Sequence, residues 1–390
     1  MAADGTRQPG GDVRPAASPS TDPAVRLPLG TGRLETADLG PIVFEVGGDP
    51  IPVTIAYRHD GPGPDAPQVL VVHALTGSAD AAGDWWAPLI GPGRALDTNR
   101  YGVLCANLLG GRYGSTGPTS TDPRTGRPYG ASFPQPSARD NARVMWALAD
   151  RLGIQRFALV AGGSLGGMIT LEVALEHPDR IGHVLPVAAP AATGALAIAW
   201  NHIQLEVVDR LGIDGLEIAR QLAMTTYRSE VDFDVRFGRS VQADGRFAVN
   251  SYLDHQGAKL LDRFDPDTYR VLVRVMDGHD IGRGRGGIVE ALRALAANAV
   301  GLTGLGIEGD LLYGPGQVRR LVDEAAAAGV DAGYRELESI KGHDAFLTEW
   351  DQLARILGEA LANGLAHAAR REMHAVPEPG TDRAGSAGAA

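Results

Sequence analysis

The 390-residue sequence lacks several features that would place it in a specialised class of protein. It has a single cysteine, Cys105, so neither an internal disulfide nor a cluster of thiolate metal ligands can form. No apolar run approaches the ~20 residues that a membrane-spanning helix needs. The first thirty residues also lack the apolar segment of a secretory signal. These absences predict a cytoplasmic protein with no membrane partner and no bound metal.

Positive charge is scarce as well. The chain has 36 Lys and Arg residues against 47 Asp and Glu residues, which gives a formal net charge of −11. Because affinity for nucleic acid comes from clustered Lys and Arg, this balance argues against a nucleic-acid partner. The hydrophobic share of 44% and the charged share of 21% are ordinary for a globular protein. An enzyme or a small-molecule binder is the class that remains.

The sequence pattern divides the chain into two tails and a folded region. Residues 1–28 and 368–390 are rich in Ala, Gly, Pro and Asp and have almost no aliphatic periodicity, so we expect both to be disordered. Residues 29–188 and 289–367 alternate short apolar runs with amphipathic stretches. This alternation predicts an α/β fold with a mostly parallel central sheet and helices on both faces. Residues 189–288 interrupt the rhythm and are predicted to form an inserted helical lid over the carboxyl edge of the sheet.

Individual elements follow from the apolar runs and their spacing. Strands are predicted at residues 68–72, 101–104, 156–160, 181–188, 298–302 and 334–337. Helices are predicted at residues 140–152, 166–177 and 316–328.

The strongest chemical signal is the GGSLGG motif that begins at residue 162, between a predicted strand and a predicted helix. It matches the nucleophile-elbow pattern Gly-x-Ser-x-Gly in the context that this pattern requires. The turn strains the serine backbone, so small residues must stand two positions away on each side, as Gly162 and Gly166 do. A glycine-rich turn without a catalytic role is the alternative, because the chain has 52 glycines. The context favours Ser164 as a nucleophile and the Leu165 amide as an oxyanion donor.

A serine nucleophile needs a base and an acid that orients the base. In this fold class the acid precedes the histidine along the chain. His343 stands in a Gly-His-Asp loop after the strand predicted at 334–337, and Asp310 follows the apolar run that ends near Ile307. One helix and one strand fit between them, so we predict Ser164, Asp310 and His343 as a catalytic triad. Glu308 is the competing acid.

The second oxyanion donor is expected in the loop that follows an early strand. The sequence His73-Ala74-Leu75 occupies that place after the strand predicted at 68–72, so the Leu75 amide is the candidate. His73 lies beneath this loop, and we expect it to be structural rather than a catalytic base.

Eight segments carry a resemblance to one enzyme family, in the same order along the chain. They are HALTGS (73–78), NLLGGRYGSTGP (107–118), GRPYGASFP (126–134), GGSLGGM (162–168), TTYRSE (225–230), SYLDHQGAKLLDRFD (251–265), HDIGRGRGG (279–287) and GHDAFL (342–347). These segments resemble those of homoserine O-acetyltransferases, and the similarity extends from about residue 29 to residue 364.

The resemblance implies an α/β-hydrolase fold with a helical lid, usually in a homodimer joined through that lid. It implies transfer of an acyl group from acetyl-CoA or succinyl-CoA to an amino-acid hydroxyl through an acyl-serine. The acyl-CoA is a co-substrate, and no bound cofactor is implied. The resemblance supports the predicted triad. It further implies that Arg220 binds the carboxylate of the acceptor, that Tyr227 faces the substrate, and that Asp344 binds the acceptor's ammonium group.

The sequence departs from the family pattern near the predicted pocket. The family often has Met where this chain has Leu165, and a family His corresponds to Met224. We expect homoserine as the acceptor, with the acylated product used in methionine synthesis. Serine or another hydroxyl acceptor of a specialised pathway is the alternative. The same triad with water as acceptor would give an esterase or thioesterase. A non-catalytic binding protein is the remaining class, but such proteins usually lack a triad residue.

Overall fold

The computed structural model describes residues 27–375, with the side chains of residues 371–375 excepted. Eight strands form one sheet in the order β1-β2-β4-β3-β7-β8-β9-β10, and β5 and β6 form a separate hairpin. All neighbours from β4 to β10 are parallel, whereas β2 pairs antiparallel with both β1 and β4. The strands are β1 (Leu34–Ile42), β2 (Ile51–Asp60), β3 (Gln68–Val72), β4 (Gly102–Ala106), β5 (Thr121–Asp122), β6 (Arg127–Pro128), β7 (Phe157–Gly163), β8 (Ile181–Val187), β9 (Gly301–Ile307) and β10 (Ala332–Leu337).

Helices cover both faces of this sheet, and six of them stand between β8 and β9 along the chain. The helices are α1 (Ala138–Arg151), α2 (Leu165–Glu176), α3 (Ala195–Leu211), α4 (Ile213–Tyr227), α5 (Glu230–Arg236), α6 (Ala248–Leu261), α7 (Pro266–Asp277), α8 (Ile288–Ala297), α9 (Pro315–Ala327) and α10 (Trp350–Ala375). Helices α3 to α7 fall within residues 189–288, and we refer to them as the lid helices. Among the described residues, none of the helices combines the length and the apolar character needed to cross a bilayer.

The two faces of the sheet bury separate apolar clusters. In β3, Leu70 and Val72 belong to the cluster that contains residues of α1, α2 and α9. Val69 and Val71 belong to the cluster that contains the buried residues of α10. Because successive side chains of a strand point to opposite faces, these helices lie on the two sides of the sheet. The parallel strands are therefore buried on both faces, which explains why they read as continuous apolar runs.

The N-terminal antiparallel pair of strands, β1 and β2, is absent from the sequence-based prediction. The signal was available in β2, where Ile51, Val53, Ile55 and Tyr57 are buried at every second position. Such alternation is typical of a strand with one face against the core. The chain is also held at residue 28, inside the predicted tail, since the Tyr57 hydroxyl donates a hydrogen bond to the Pro28 carbonyl.

The strand predicted at residues 298–302 is wrong in its position, because β9 spans Gly301–Ile307. Three glycines dilute the apolar run, and each one makes room for a neighbouring side chain. A Cβ on Gly301 would lie 2.2 Å from the His183 ring, and one on Gly306 would lie 2.2 Å from the Tyr334 hydroxyl. These glycines are therefore strand residues that leave space for neighbouring side chains. Strand propensity alone disfavours glycine and so predicts a loop here.

The tail predicted to begin at residue 368 is also wrong at its start. Helix α10 continues to Ala375. The stretch AHAARREMHA is composed mostly of good helix formers, so it extends the helix instead of fraying at once. The predicted tails at residues 1–26 and 376–390 lie outside the described residues.

Candidate active site

Ser164 occupies the sharp turn between β7 and α2. Its backbone has φ of +58°, a left-handed value that is strained for a residue with a Cβ. The Ser164 N–H donates to the Val187 carbonyl at 2.9 Å, which ties the turn to the neighbouring strand. A Cβ on Gly162 would lie 2.6 Å from the Gly166 carbonyl oxygen, and one on Gly166 would lie 2.1 Å from the Val72 oxygen. Glycine is thus required on both sides of the serine, and such strain is characteristic of functional turns.

The imidazole of His343 is held from behind by Asp310. His343 Nδ1 and Asp310 Oδ2 are 2.7 Å apart, and both side chains are buried. The other oxygen of Asp310 accepts hydrogen bonds from the amides of Leu312 and Tyr313, so the carboxylate has a fixed orientation. Burial opposes a charge on the ring, but the charge of Asp310 and its hydrogen bond outweigh it and raise the pKa of His343. The arrangement fits a histidine that takes up protons during a reaction.

Ser164 and His343 line the same cavity, whose volume is about 240 Å³. His343 Nε2 is buried without a hydrogen-bond partner among the described residues, so this ring nitrogen is available for a new contact. The rings of Tyr227, Tyr313 and Phe346 stand 5.6–5.7 Å from the imidazole and restrict its movement. The structure therefore brings the three predicted triad residues to one place. Catalytic hydrogen bonds are often loose without substrate, so the unpaired Nε2 is compatible with proton transfer from Ser164.

The loop after β3 contributes Leu75 to the cavity wall. Buried His73 organises this loop, because its Nε2 is 3.3 Å from the Leu108 amide and its Nδ1 is 2.7 Å from the Ala74 oxygen. Since Nε2 accepts from an amide, Nδ1 must carry the proton and donate to Ala74. The Ala74 oxygen and the Leu75 N–H belong to one trans peptide and point in opposite directions. His73 therefore fixes the direction of the Leu75 amide.

Burial lowers the pKa of His73 to about 4, so the ring is neutral near pH 7. The second predicted oxyanion donor, Leu165, is fully buried and is the first residue of α2. An amide at that position has no partner within its own helix and lies at the positive end of the helix dipole.

The lid helix α4 carries two of the predicted substrate-binding side chains. Arg220 and Tyr227 both line the cavity, and the Arg220 guanidinium carbon is 5.3 Å from the centre of the Tyr227 ring. Asp344 lines the same cavity from the loop that holds His343. Burial raises the pKa of Asp344, and neighbouring Arg228 opposes that rise most strongly. A cation and an anion thus line the same cavity as Ser164.

Residues beyond those predicted from the sequence also contact this site. Arg228 directly follows Tyr227 and forms an ion pair with Asp344 at 3.2 Å. Its position inside the TTYRSE segment was the available signal. Trp85 and Arg263 also line the cavity, and Arg263 lines a second, adjoining cavity of about 370 Å³. Among residues 27–375, no group of three His, Cys, Asp or Glu side chains has a geometry that would hold a metal ion.

The sheet order, the elbow and the inserted helices are those of an α/β hydrolase, and residues 67–259 match the family model of the alpha/beta hydrolase fold. A homoserine O-acetyltransferase of Thermobifida fusca is 43% identical over 83% of this chain and 92% of its own length. The solved homoserine O-acetyltransferase of Staphylococcus aureus is 30% identical, with a TM-score of 0.71 over 84% of this chain and 94% of that one. The chain belongs to the homoserine O-acetyltransferase family, whose members are acyltransferases.

A protein named for a different activity shares the same architecture. The solved esterase E22 is 21% identical and has a TM-score of 0.78 over 84% of this chain and 99% of that chain. At this identity the likeness shows the fold alone. Transfer and hydrolysis therefore have to be distinguished by the residues of the site.

Proposed function

We propose that this protein transfers the acetyl group of acetyl-CoA to the side-chain hydroxyl of L-homoserine. The observation that carries the proposal is the shared cavity, in which Ser164 and His343 stand beside Arg220 and Asp344. An amino-acid acceptor presents a carboxylate, an ammonium group and a hydroxyl. Arg220 offers a planar fork for the carboxylate, and Asp344 offers a counter-charge for the ammonium. The relatives of the same family support homoserine as this acceptor.

The first half of the reaction acylates the serine. His343 Nε2 takes the Ser164 proton while the serine oxygen attacks the thioester carbonyl. The amides of Leu75 and Leu165 donate to the resulting oxyanion. When the tetrahedral intermediate collapses, the carbon–sulfur bond breaks, His343 returns its proton to the sulfur, and coenzyme A leaves as a thiol.

The second half passes the acyl group to homoserine. His343, oriented by Asp310, takes the proton of the acceptor hydroxyl, and the hydroxyl oxygen attacks the acyl-serine carbonyl. The same two amides stabilise the second oxyanion. Collapse breaks the bond to Ser164, and the proton on His343 returns to the serine oxygen. This is a ping-pong sequence, in which coenzyme A leaves before the acetylated product forms.

The donor needs more room than the first cavity gives. The adjoining cavity shares Thr76, Gly77, Asp84 and Arg263 with it, so an extended thioester can reach Ser164 from that side. Acyl-CoA is made and used inside cells, which makes the cytoplasm the expected location. No bound cofactor is needed for either half-reaction.

The lid helices are the proposed surface for a homodimer. Among the described residues, several large apolar side chains of the lid are exposed, including Val235 at 70% and Leu196 at 62%. A partner subunit would cover such side chains, and we propose that they belong to the dimer contact. We expect light scattering to give twice the monomer mass, and Val235→Glu to shift that mass toward one chain. A wild-type chain of monomer mass at micromolar concentration would contradict this proposal.

The central test is direct detection of the acyl-enzyme. Mass spectrometry of the protein mixed with acetyl-CoA alone is expected to show one added acetyl group on Ser164, and Ser164→Ala is expected to lack both adduct and transfer activity. A screen of acetyl- and succinyl-CoA against homoserine, serine and threonine then identifies both substrates. Full transfer activity in Ser164→Ala, with no adduct in the wild type, would overturn the mechanism. Coenzyme A release that no acceptor accelerates would instead favour an esterase or thioesterase.

A further inference from the structure

The turn between α4 and α5 is wedged against the loop that carries His343. The Ser229 hydroxyl, at the start of α5, donates to the Ile340 carbonyl just before that loop. Gly342 has φ of +66°, and a Cβ there would lie 2.7 Å from the Ser229 nitrogen. A side chain at position 342 is excluded by this contact. The lid and the histidine loop are therefore held in one arrangement at this point.

Arg228 stands in this turn and connects two carboxylates. Its Nε is 3.2 Å from Asp344 Oδ2, and its Nη1 donates to Asp232 Oδ2 at 3.3 Å. The side chains of Arg228 and Asp344 are each only 19% exposed. Asp344 lines the active-site cavity, whereas Arg228 is not among its lining residues. The guanidinium thus contacts the carboxylate from behind and leaves the cavity side of Asp344 open.

A second cation faces the same carboxylate from the lid. Arg220 lines the cavity and interacts with Asp344 electrostatically. If nothing held Asp344 in place, the two cavity charges would tend to pair with each other. Neither would then be fully available to a zwitterionic ligand.

We propose that Arg228 is a positioning residue that sets the affinity for the amino-acid acceptor. It holds the Asp344 carboxylate at the cavity wall, apart from Arg220, so that the ammonium and carboxylate of the acceptor each meet an opposite charge. This inference rests on the proposed function, because it takes the roles of Arg220 and Asp344 from there. It assigns Arg228 no contact with the acceptor or with the reacting atoms.

The charges around Asp344 give the proposal a pH signature. Burial raises the pKa of Asp344, with a smaller contribution from the charge of Asp310, while Arg228, His343 and Arg220 lower it, Arg228 most. Removing Arg228 therefore raises the pKa of Asp344 further. As the pH falls, the carboxylate of such a variant takes up a proton earlier than that of the wild type and loses its attraction for the ammonium group.

The test measures KM for homoserine and kcat between about pH 6 and pH 8.5 in Arg228→Met, a range that brackets the ordinary histidine pKa. We expect KM to rise about tenfold at the alkaline end and more at the acidic end, while kcat at saturating homoserine falls less than about threefold. Arg228→Lys restores part of the affinity, since it keeps the charge without the planar fork. Arg236→Met is the matched control, because Arg236 approaches Asp232 at 3.6 Å and is not paired with Asp344.

A double-mutant cycle separates positioning from general damage to the fold. In an Asp344→Asn background, Arg228→Met is expected to raise KM no further, because Arg228 acts through Asp344. An additive effect in the cycle, or an Arg228→Met variant with wild-type KM at every pH, overturns this inference while the proposed function stands. A wild-type protein that does not acylate homoserine overturns the proposed function itself.

Discussion

The edge of the sheet that carries Ser164 and the lid above it hold their functional groups in different ways. At the sheet edge, backbone packs against backbone, and a Cβ on Gly166 would lie only 2.1 Å from the Val72 oxygen. In the lid, the functional groups stand at the ends of long helix side chains such as that of Arg220, which reaches the cavity from α4. The lid also leaves apolar side chains such as Val235 exposed.

This difference separates the groups that carry out the reaction from the groups that select the acceptor. Groups fixed by the backbone keep one geometry, which is what a reaction with a strained serine and preorganised amides requires. Side chains of a lid helix can be exchanged without disturbing that geometry, so the acceptor can change while the reaction remains. We therefore expect changes at the sheet edge to lower kcat and changes in the lid to raise KM for the acceptor.

The largest effect is expected from Asp310→Asn at the sheet edge. The amide cannot stabilise an imidazolium or enforce the tautomer that leaves Nε2 free, so kcat should fall about 10⁴-fold with little change in KM. The check is steady-state kinetics with homoserine. The matched control is Glu308→Gln, the other acid of the same loop, which should stay within about threefold of wild type because ordinary surface changes have small effects. An equal loss in Glu308→Gln would mean that the acid is misassigned.

The same pair of residues predicts a pH dependence. Asp310 overcomes the effect of burial and raises the pKa of His343. The base must be neutral to act, so kcat/KM should fall as the pH drops through that raised pKa, above the ordinary value of about 6.5. In Asp310→Asn the fall should move to lower pH, since the anion that favours the protonated ring is gone. If the acidic limb of the kcat/KM profile did not move in Asp310→Asn, His343 would not be the group whose protonation lowers the rate.

His73→Ala tests whether the direction of one amide matters. Loss of the Nδ1 donor releases the Ala74 carbonyl and with it the Leu75 N–H, so kcat should fall about 10²-fold, as for a weakened oxyanion donor. His59 supplies the control, because it is also buried and bridges Gly30 and Gln68 away from the cavity. His59→Ala should lower the thermal midpoint comparably and leave kcat within about threefold. Equal kcat losses in the two variants would indicate a stability effect alone.

The parallel core of the fold was predictable because burial on both faces produces continuous apolar runs. The strand predicted at residues 68–72 matches β3, and the predicted helix at 316–328 lies within one residue of α9. Elements whose small residues make room for neighbouring side chains were not predictable in this way. The glycines of β9 are explained by the side chains beside them, those of His183, Val322 and Tyr334, which no local pattern reveals.

The candidate site shows the same division. Ser164 follows from local sequence, because the elbow needs its glycines at fixed positions. Chain order and loop placement suggested Asp310 and His343, but their 2.7 Å contact depends on the whole sheet. The TTYRSE segment drew attention to Arg228, but its role could not be assigned from sequence. Its partner Asp344 is distant along the chain, and the pairing depends on how the lid packs on the loop that carries His343.

The smallest expected effect comes from the lid and gives the sharpest test of the comparison. Arg220→Lys keeps the charge but loses the planar fork that matches a carboxylate, so KM for homoserine should rise about tenfold while kcat changes less than about threefold. The control is Arg210→Lys, an exposed lid arginine that pairs with Glu206. It should leave both constants unchanged. If Arg220→Lys instead lowered kcat at saturating homoserine, the lid would take part in placing the acceptor hydroxyl for attack. The residues that select the acceptor would then also be residues that set the rate of the reaction.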